Sequence, residues 1–237
     1  MNTIRIQGYE VPIRVGRTRG KRARLYFADN TPELRIDTPT GKLDARVLAF
    51  AQEKASWILK YMEVHQAMLD KQKEFDDKLE KEVLFLGEYL PIAYRVSDRR
   101  RIVKEGKTLC IYAPEKLLKG DKKKVVYAAL RELAKAYLRK KIQHWSNATS
   151  TEFHQLRIKD LKSKWGSCSS LRNINLNWRL IFLPEPLIDY VVIHELMHLR
   201  EMNHSSRFWN WVEKFFPSYK KAKIALKEYQ WIIGILR

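Results

Sequence analysis

Cysteine is almost missing from this chain, with only Cys110 and Cys168 among 237 residues. Two cannot build a disulfide framework or a cysteine-rich zinc finger, so a reducing compartment is the default. Glycine and proline are scarce, at nine and eight, which excludes collagen-like and low-complexity chains. Aromatic residues at 11% argue against wholesale disorder. No run approaches the ~20 apolar residues needed to span a bilayer. The opening MNTIRIQGYEVPIRVGR lacks the apolar stretch of a secretory leader. The expectation is a soluble cytoplasmic protein with no membrane partner.

Acidic residues are also in short supply, 27 against 46 Lys plus Arg, for a net charge of +19. Such an excess attracts phosphate without any sequence code, so nucleic acid is a candidate partner. The charge is nevertheless spread over several clusters: residues 14–24 (six cations and no acid), 99–104, 116–124, 139–141, 157–164 and 220–227. A dispersed excess also suits a solvated surface. No P-loop, zinc finger or other nucleic-acid motif accompanies it.

What is present is a 45% apolar chain long enough for one ordinary domain, or a compact domain with an accessory lobe. Residues 2–40 read as short strands. Ile4, Ile6, Val11, Ile13 and Val15 alternate with polar positions, as do Leu25, Phe27, Leu34 and Ile36, with Gly8, Gly16, Gly20, Asn30 and Pro32 as turn punctuation. From about Leu43 the period turns helical, with Val47, Ala51, Ala55, Ile58 and Met62 on one stripe, continuing through the charged stretch to Glu82. Residues 83–96 and 108–113 look like strands separated by a polar loop, 97–107. A long helix is expected over 122–144, a strand region over 152–183, and helical segments at 186–201, 206–216 and 219–236. Strands come first and helices dominate later, so the class is α+β. The expected organisation is an N-terminal strand-rich lobe (1–42), a helical and strand region packed on the core (43–145) and a catalytic region (146–237).

One stretch carries chemistry: His194-Glu195-Leu196-Met197-His198, an H-E-x-x-H inside a helical segment. Positions four apart on a helix differ by ~40° in azimuth and ~6 Å along the axis, so both imidazoles reach one ion. Glu195 can then address a water at that ion. Two histidines make a weak site, and His204 is the candidate third ligand. On a continuous helix it would lie ~240° around, facing away. The helix must therefore stop before it, and Asn203, which tolerates a left-handed conformation, is placed to turn the chain. Three neutral imidazoles suit Zn²⁺ with its fourth position open, a catalytic rather than a structural arrangement. Glu195 would serve as general base. His65, His144 and His154 lack partners at ligand spacing.

The segments Lys164-Trp165-Gly166-Ser167-Cys168-Ser169, Ile174 to Leu180, Tyr190 to His198 and Asn203 to Trp209 together resemble the YgjP-like metal-dependent hydrolases. That family is grouped with zincin metallopeptidases and related to the SprT-like and WLM proteins. The resemblance implies a zincin-like core, an active-site helix on a small sheet, with His194, His198 and His204 as zinc ligands and Glu195 as catalytic carboxylate. It also implies a cleft wall formed by residues 165–169 and 175–180. Substrate contacts are then expected from Trp165, Gly166, Ser167, Cys168, Asn175, Arg179 and Tyr190. Tyr190, Arg179 and Lys164 are candidates to stabilise an oxyanion. Where the family's turn commonly carries Gly, this chain has Arg172 beside Asn173. Glu201 stands where the metzincin extension would have a helix-breaking Gly. Cys168 could be a fourth ligand or a redox brake, but small buried thiols are common. Trp165, Trp178, Phe208 and Trp209 read as core around the site.

Three functions remain open on the sequence. The first is a zinc metallopeptidase acting on a peptide or protein strand added beside the cleft. The second takes a phosphate-rich partner: a nucleotide pyrophosphatase at the same metal, as attributed within the family, or a protease associated with nucleic acid. The third is a non-catalytic metal-binding module, against which Glu195 speaks.

Overall fold

The computed structural model describes residues 2–28 and 31–234. Asn30 and the end of the expected last helix, at Leu236, lie outside them. The fold is α+β, and the chain divides into two compact units, residues 1–71 and 72–237.

In the first unit, β1 (Asn2–Ile6), β2 (Tyr9–Arg17), β3 (Arg24–Phe27) and β4 (Leu34–Thr38) form one sheet in the order β1-β2-β4-β3. The alternation read from the sequence is what the sheet buries. Ile4, Ile6, Val11, Ile13, Leu34 and Ile36 close a core with Val47 and Ala51 of α1 (Ala45–Glu53) and with Ala55 and Ile58 of α2 (Ala55–Lys78). Asp44 starts α1 by accepting a hydrogen bond from the Val47 N–H at 2.9 Å. The helix expected from Leu43 to Glu82 is thus two helices that part at Lys54 and end at Lys78.

The second unit holds two small sheets and the remaining helices. Strands β5 (Glu82–Phe85), β6 (Glu88–Val96), β7 (Arg101–Glu105) and β8 (Thr108–Ala113) order as β5-β6-β8-β7, with β6 and β8 parallel. The expected polar loop 97–107 therefore contains a strand. β7 is an edge strand whose Arg101, Lys104 and Glu105 are solvent-exposed, and such charges blunt an edge while hiding the alternation from a pattern search. Next come α3 (Glu115–Leu118), the long α4 (Lys122–Thr149) and a second sheet of β9 (Gln155–Lys159), β10 (Gly166–Cys168) and β11 (Asn173–Asn177), ordered β10-β11-β9. The expected strand region ends early, because Trp178–Phe182 is a 3-10 helix. Helices α5 (Glu185–Met197), α6 (Ser206–Phe215), α7 (Tyr219–Glu228) and α8 (Trp231–Gly234) follow. Among the described residues no helix is long and apolar enough to cross a membrane.

A two-residue turn sets where α5 begins. Leu86 (φ 51) and Gly87 (φ 88) link β5 to β6 with both residues left-handed, the type I′ geometry. Their N–H groups donate to the Ile181 and Phe182 carbonyls at 2.8 and 3.2 Å. A Cβ on Gly87 would stand 2.7 Å from Cγ and 3.0 Å from Cα of Pro184, the residue that caps α5. Gly87→Ala should cost about 2–4 kcal/mol, from the left-handed backbone and the clash together. Chemical denaturation of the two proteins measures it, and an unchanged midpoint would refute the account.

Candidate metal centre

Helix α5 is buried almost all round, as a core helix must be. It opens on Pro184 with Pro186 in the first turn, where a missing N–H costs nothing. Its few polar side chains near the start fasten it to α4. The Tyr137 hydroxyl donates to the Glu185 carboxylate, Lys141 Nζ lies 3.0 Å from Asp189, and the Trp145 indole N–H donates to Asp189 at 2.7 Å. The Tyr137 bond, helped by Lys141, holds the Glu185 carboxyl below its ordinary range.

The helix ends at Met197 with His198 as its cap, so Asn203 lies past the C-terminus as expected. The left-handed turn expected of Asn203 is not made. The non-glycine residues with positive φ among those described are Gln7, Leu86, Ser150 and Arg172. The chain turns instead through bonds that fix residues 199–205. Arg200 donates to the Thr149 and Ser150 carbonyls at the end of α4, at 2.6 and 3.2 Å, and the Ser205 N–H donates to the Asn203 carbonyl at 2.8 Å.

This path brings His204 back onto the exposed end of α5. His194, His198 and His204 each offer a ring nitrogen, all within 4.8 Å of one another. The His194 and His204 Nε2 atoms lie 3.1 Å apart. Two lone pairs at that distance repel unless a proton or a cation lies between them, and ligand nitrogens ~2.0–2.1 Å from a tetrahedral zinc would be about 3.3 Å apart. The His198 Nδ1–H donates to the Glu201 carbonyl at 3.2 Å, which leaves Nε2 as the free donor atom. Burial, then the neighbouring imidazoles, drive His194 down to about 3, and burial lowers His198. Neutral imidazoles are the ligand form. The donor set therefore fits a divalent ion. Phe208 is fully buried beneath it, its ring 4.5–4.9 Å from each of the three imidazoles.

Beside the histidines, Glu195 is 6% exposed and lies against β10. A Cβ on Gly166 would stand 2.6 Å from Glu195 Oε1, so only glycine lets the strand pass this close. Burial raises the Glu195 carboxyl to about 8, opposed by Lys164. Cys168 is raised to about 11 and Tyr190 to about 12, in each case by burial first and the Glu195 charge second. Both are therefore protonated near neutrality, and Tyr190 is a phenol donor four residues before His194.

β10 is the end strand of its sheet. The Asn177 N–H donates to the Trp165 carbonyl and the Ser169 N–H to the Asn173 carbonyl, at 2.8 and 3.0 Å. In an antiparallel ladder the alternate residues face away, so the Gly166 and Cys168 main-chain groups point to the free edge.

The sequence profile described as "YgjP-like, metallopeptidase domain" matches residues 21–229. The chain belongs to the YgjP-like family. It is a metal-dependent hydrolase of metallopeptidase type. Two solved structures are similar to part of this YgjP-like chain. The metallopeptidase zymogen of Pyrococcus abyssi abylysin is 29% identical over 38% of this chain and 90% of its own, with a TM-score of 0.35. That of Methanocaldococcus jannaschii jannalysin is 26% identical over 39% and 94%, also with a TM-score of 0.35. Among curated proteins none matches.

The YgjP-like chain brings His194, Glu195, His198, His204, Gly166, Cys168 and Tyr190 into one neighbourhood. Trp165 precedes Gly166 and is buried, its indole N–H without a hydrogen-bond partner among the described residues. Ser167 and Asn175 face the other side of the hairpin, where Asn175 Nδ2 donates to Ser167 Oγ at 3.1 Å. Arg179 is not at the cleft. It is fully buried in the 3-10 helix and ion-paired with Asp160. The Arg172 position makes the hairpin without the family's glycine by adopting φ 60, its guanidinium donating to the Glu152 carbonyl. Cys168 stands outside the three-histidine cluster, and its thiol lies 3.6 Å from the Ser169 carbonyl. Sequence reasoning missed Lys223, whose charge bears on His194 and whose Nζ lies 4.7 Å from the Trp209 ring centroid. No spacing signal links it to the motif.

Proposed function

We propose that the 146–237 region hydrolyses peptide bonds in an extended, unstructured protein segment, at a zinc ion held by His194, His198 and His204, with Glu195 as general base. The observation that carries this is one buried carboxylate packed against the edge strand β10, on the helix that supplies two of three convergent imidazoles. Zinc suits an all-imidazole set with one open position, and when bound it supplies Lewis acidity toward a carbonyl and a water.

The chain's own residues do the rest. The Gly166 and Cys168 main-chain groups pair with the substrate strand, which recognises an extended backbone without demanding a side-chain sequence. Ser167 and Asn175 brace that strand from its far side. Glu195, in its ionised form, takes a proton from the attacking water and returns it to the leaving amine. The Tyr190 hydroxyl, protonated at neutral pH, donates to the developing oxyanion. Phe208 keeps the floor under the imidazoles dry, which strengthens each of these interactions.

The test is a substrate comparison with zinc-loaded and chelator-stripped protein. Unfolded casein should be fragmented only by the zinc-loaded form, and zinc added back to the stripped protein should restore cleavage. Nucleoside triphosphates should remain intact. Their hydrolysis without casein cleavage would overturn the peptide reading.

A further inference from the structure

The cationic stretch 14–24 has no part in the metal centre, and in the first unit it leads into two adjoining clefts. One, about 680 Å³, is lined by Arg24, Lys54, Tyr26, Phe50 and Trp57 among others. The second, about 420 Å³, shares Ala23 and Phe50 with it and adds Lys21, Arg22 and Arg46. Five cations thus meet two carboxylates, both already engaged. Asp37 accepts the Tyr26 hydroxyl bond at 3.1 Å, and Asp44 caps α1. Lys54 pairs with Glu53 at 2.7 Å, whereas Lys21, Arg22, Arg24 and Arg46 pair with no carboxylate among the described residues.

The aromatic lining is the second, independent observation. Trp57 is 46% and Tyr26 37% exposed, and both rings line the same cleft as Arg24 and Lys54. Trp57 is held in place rather than loose. Its ring packs 5.4 Å from Phe27, which stacks on Tyr61 at 3.8 Å. Rings fixed in advance beside unpaired guanidinium groups suit bases and phosphates of an unpaired strand, whose base faces are free to stack. A larger basic cleft in the second unit, about 820 Å³, also holds two cations, Arg100 and Arg101, that pair with no carboxylate among the described residues, but it presents no exposed ring. Its Lys124, Arg131 and Lys135 each face an acid at 2.7–3.4 Å. Its one ring, Tyr127, donates its hydroxyl to Asp76.

We infer that the first unit binds single-stranded nucleic acid, with phosphates on Arg22, Arg24 and Arg46 and bases stacked on Trp57 and Tyr26. This does not depend on the peptidase reading, and its test needs no activity. The full-length chain is titrated into labelled oligo(dT) and oligo(U) of equal length, followed by fluorescence anisotropy. Binding to either supports the assignment, and their ratio says whether DNA or RNA is preferred. Trp57→Ala should weaken it roughly ten-fold, with Trp57→Phe recovering most of the loss. Arg22→Glu with Arg24→Glu should weaken it more than ten-fold and flatten the salt dependence by about one to two in log–log slope. Arg100→Glu with Lys124→Glu, the same charge change in the other cleft, should cost less than about three-fold. Equal losses from the two charge pairs would overturn the site in favour of bulk charge. So would undiminished binding by Trp57→Ala, or competition by polyglutamate as effective as by unlabelled oligonucleotide, which would point to acidic polypeptide.

Discussion

Replacing Glu195 by Gln should leave the metal in place and lower kcat by roughly 10²- to 10⁴-fold, the span that a positioned general base supplies. The substitution is nearly isosteric, so the tight fit between this side chain and Gly166 survives. It also removes only an ionisation that burial already opposes, since the carboxyl sits well above its ordinary range. Stability should therefore hold or rise, which separates this variant from one that merely unfolds. The three imidazoles do not use Glu195 as a partner. His198 is oriented by the Glu201 carbonyl, and His204 arrives on a loop tied to α4 by Arg200. Metal content measured on purified protein, thermal melting and casein turnover together give the answer. Full activity would remove Glu195 from the chemistry. Loss of metal would make it a ligand or a support for one.

Much of the centre was legible because its geometry is local. His194, Glu195 and His198 lie within five residues of one helix, where spacing alone fixes which side chains meet. His204 was legible only through a constraint, that a continuous helix would point it away, and the helix does stop. The device that stops it was not legible. A left-handed Asn203 is the economical guess from residue type, but the bonds from Arg200 to Thr149 and Ser150 span about fifty residues, which no local pattern encodes. The same limit explains Arg179. Its place near the matched segment suggested the cleft, and only the tertiary partner Asp160 reveals a buried ion pair. β7 failed for a different reason. Its alternation is masked by the charges that an edge strand carries, so composition pointed to a loop. Arg172 inverts the usual inference from glycine. The turn still requires positive φ, and an arginine meets the requirement while its guanidinium donates to the Glu152 carbonyl in the segment that leads into β9.

Gly166→Ala should reduce turnover by about 10²-fold or more while leaving metal content unchanged. The added Cβ would stand 2.6, 2.7 and 2.8 Å from Oε1, Cγ and Cδ of Glu195, so one of the two partners must move. The strand resists, because β10 is paired to β11 at all three of its residues and braced by the bond from Asn175 to Ser167. The helix resists too, through Glu185 and Asp189 at its start. The carboxylate side chain is what gives way, and a displacement of about 1 Å at a catalytic group is worth about two orders of magnitude in rate. Its cost to stability should be only about 1–3 kcal/mol of overpacking. Ser167→Ala is the matched control. It changes the next residue of the same strand, removes one side-chain bond on the far face and should keep activity within a few-fold. If both variants lose activity alike, the strand as a whole matters and not the seat it provides for Glu195. If Gly166→Ala turns over as fast as the parent, the close approach has no bearing on the reaction.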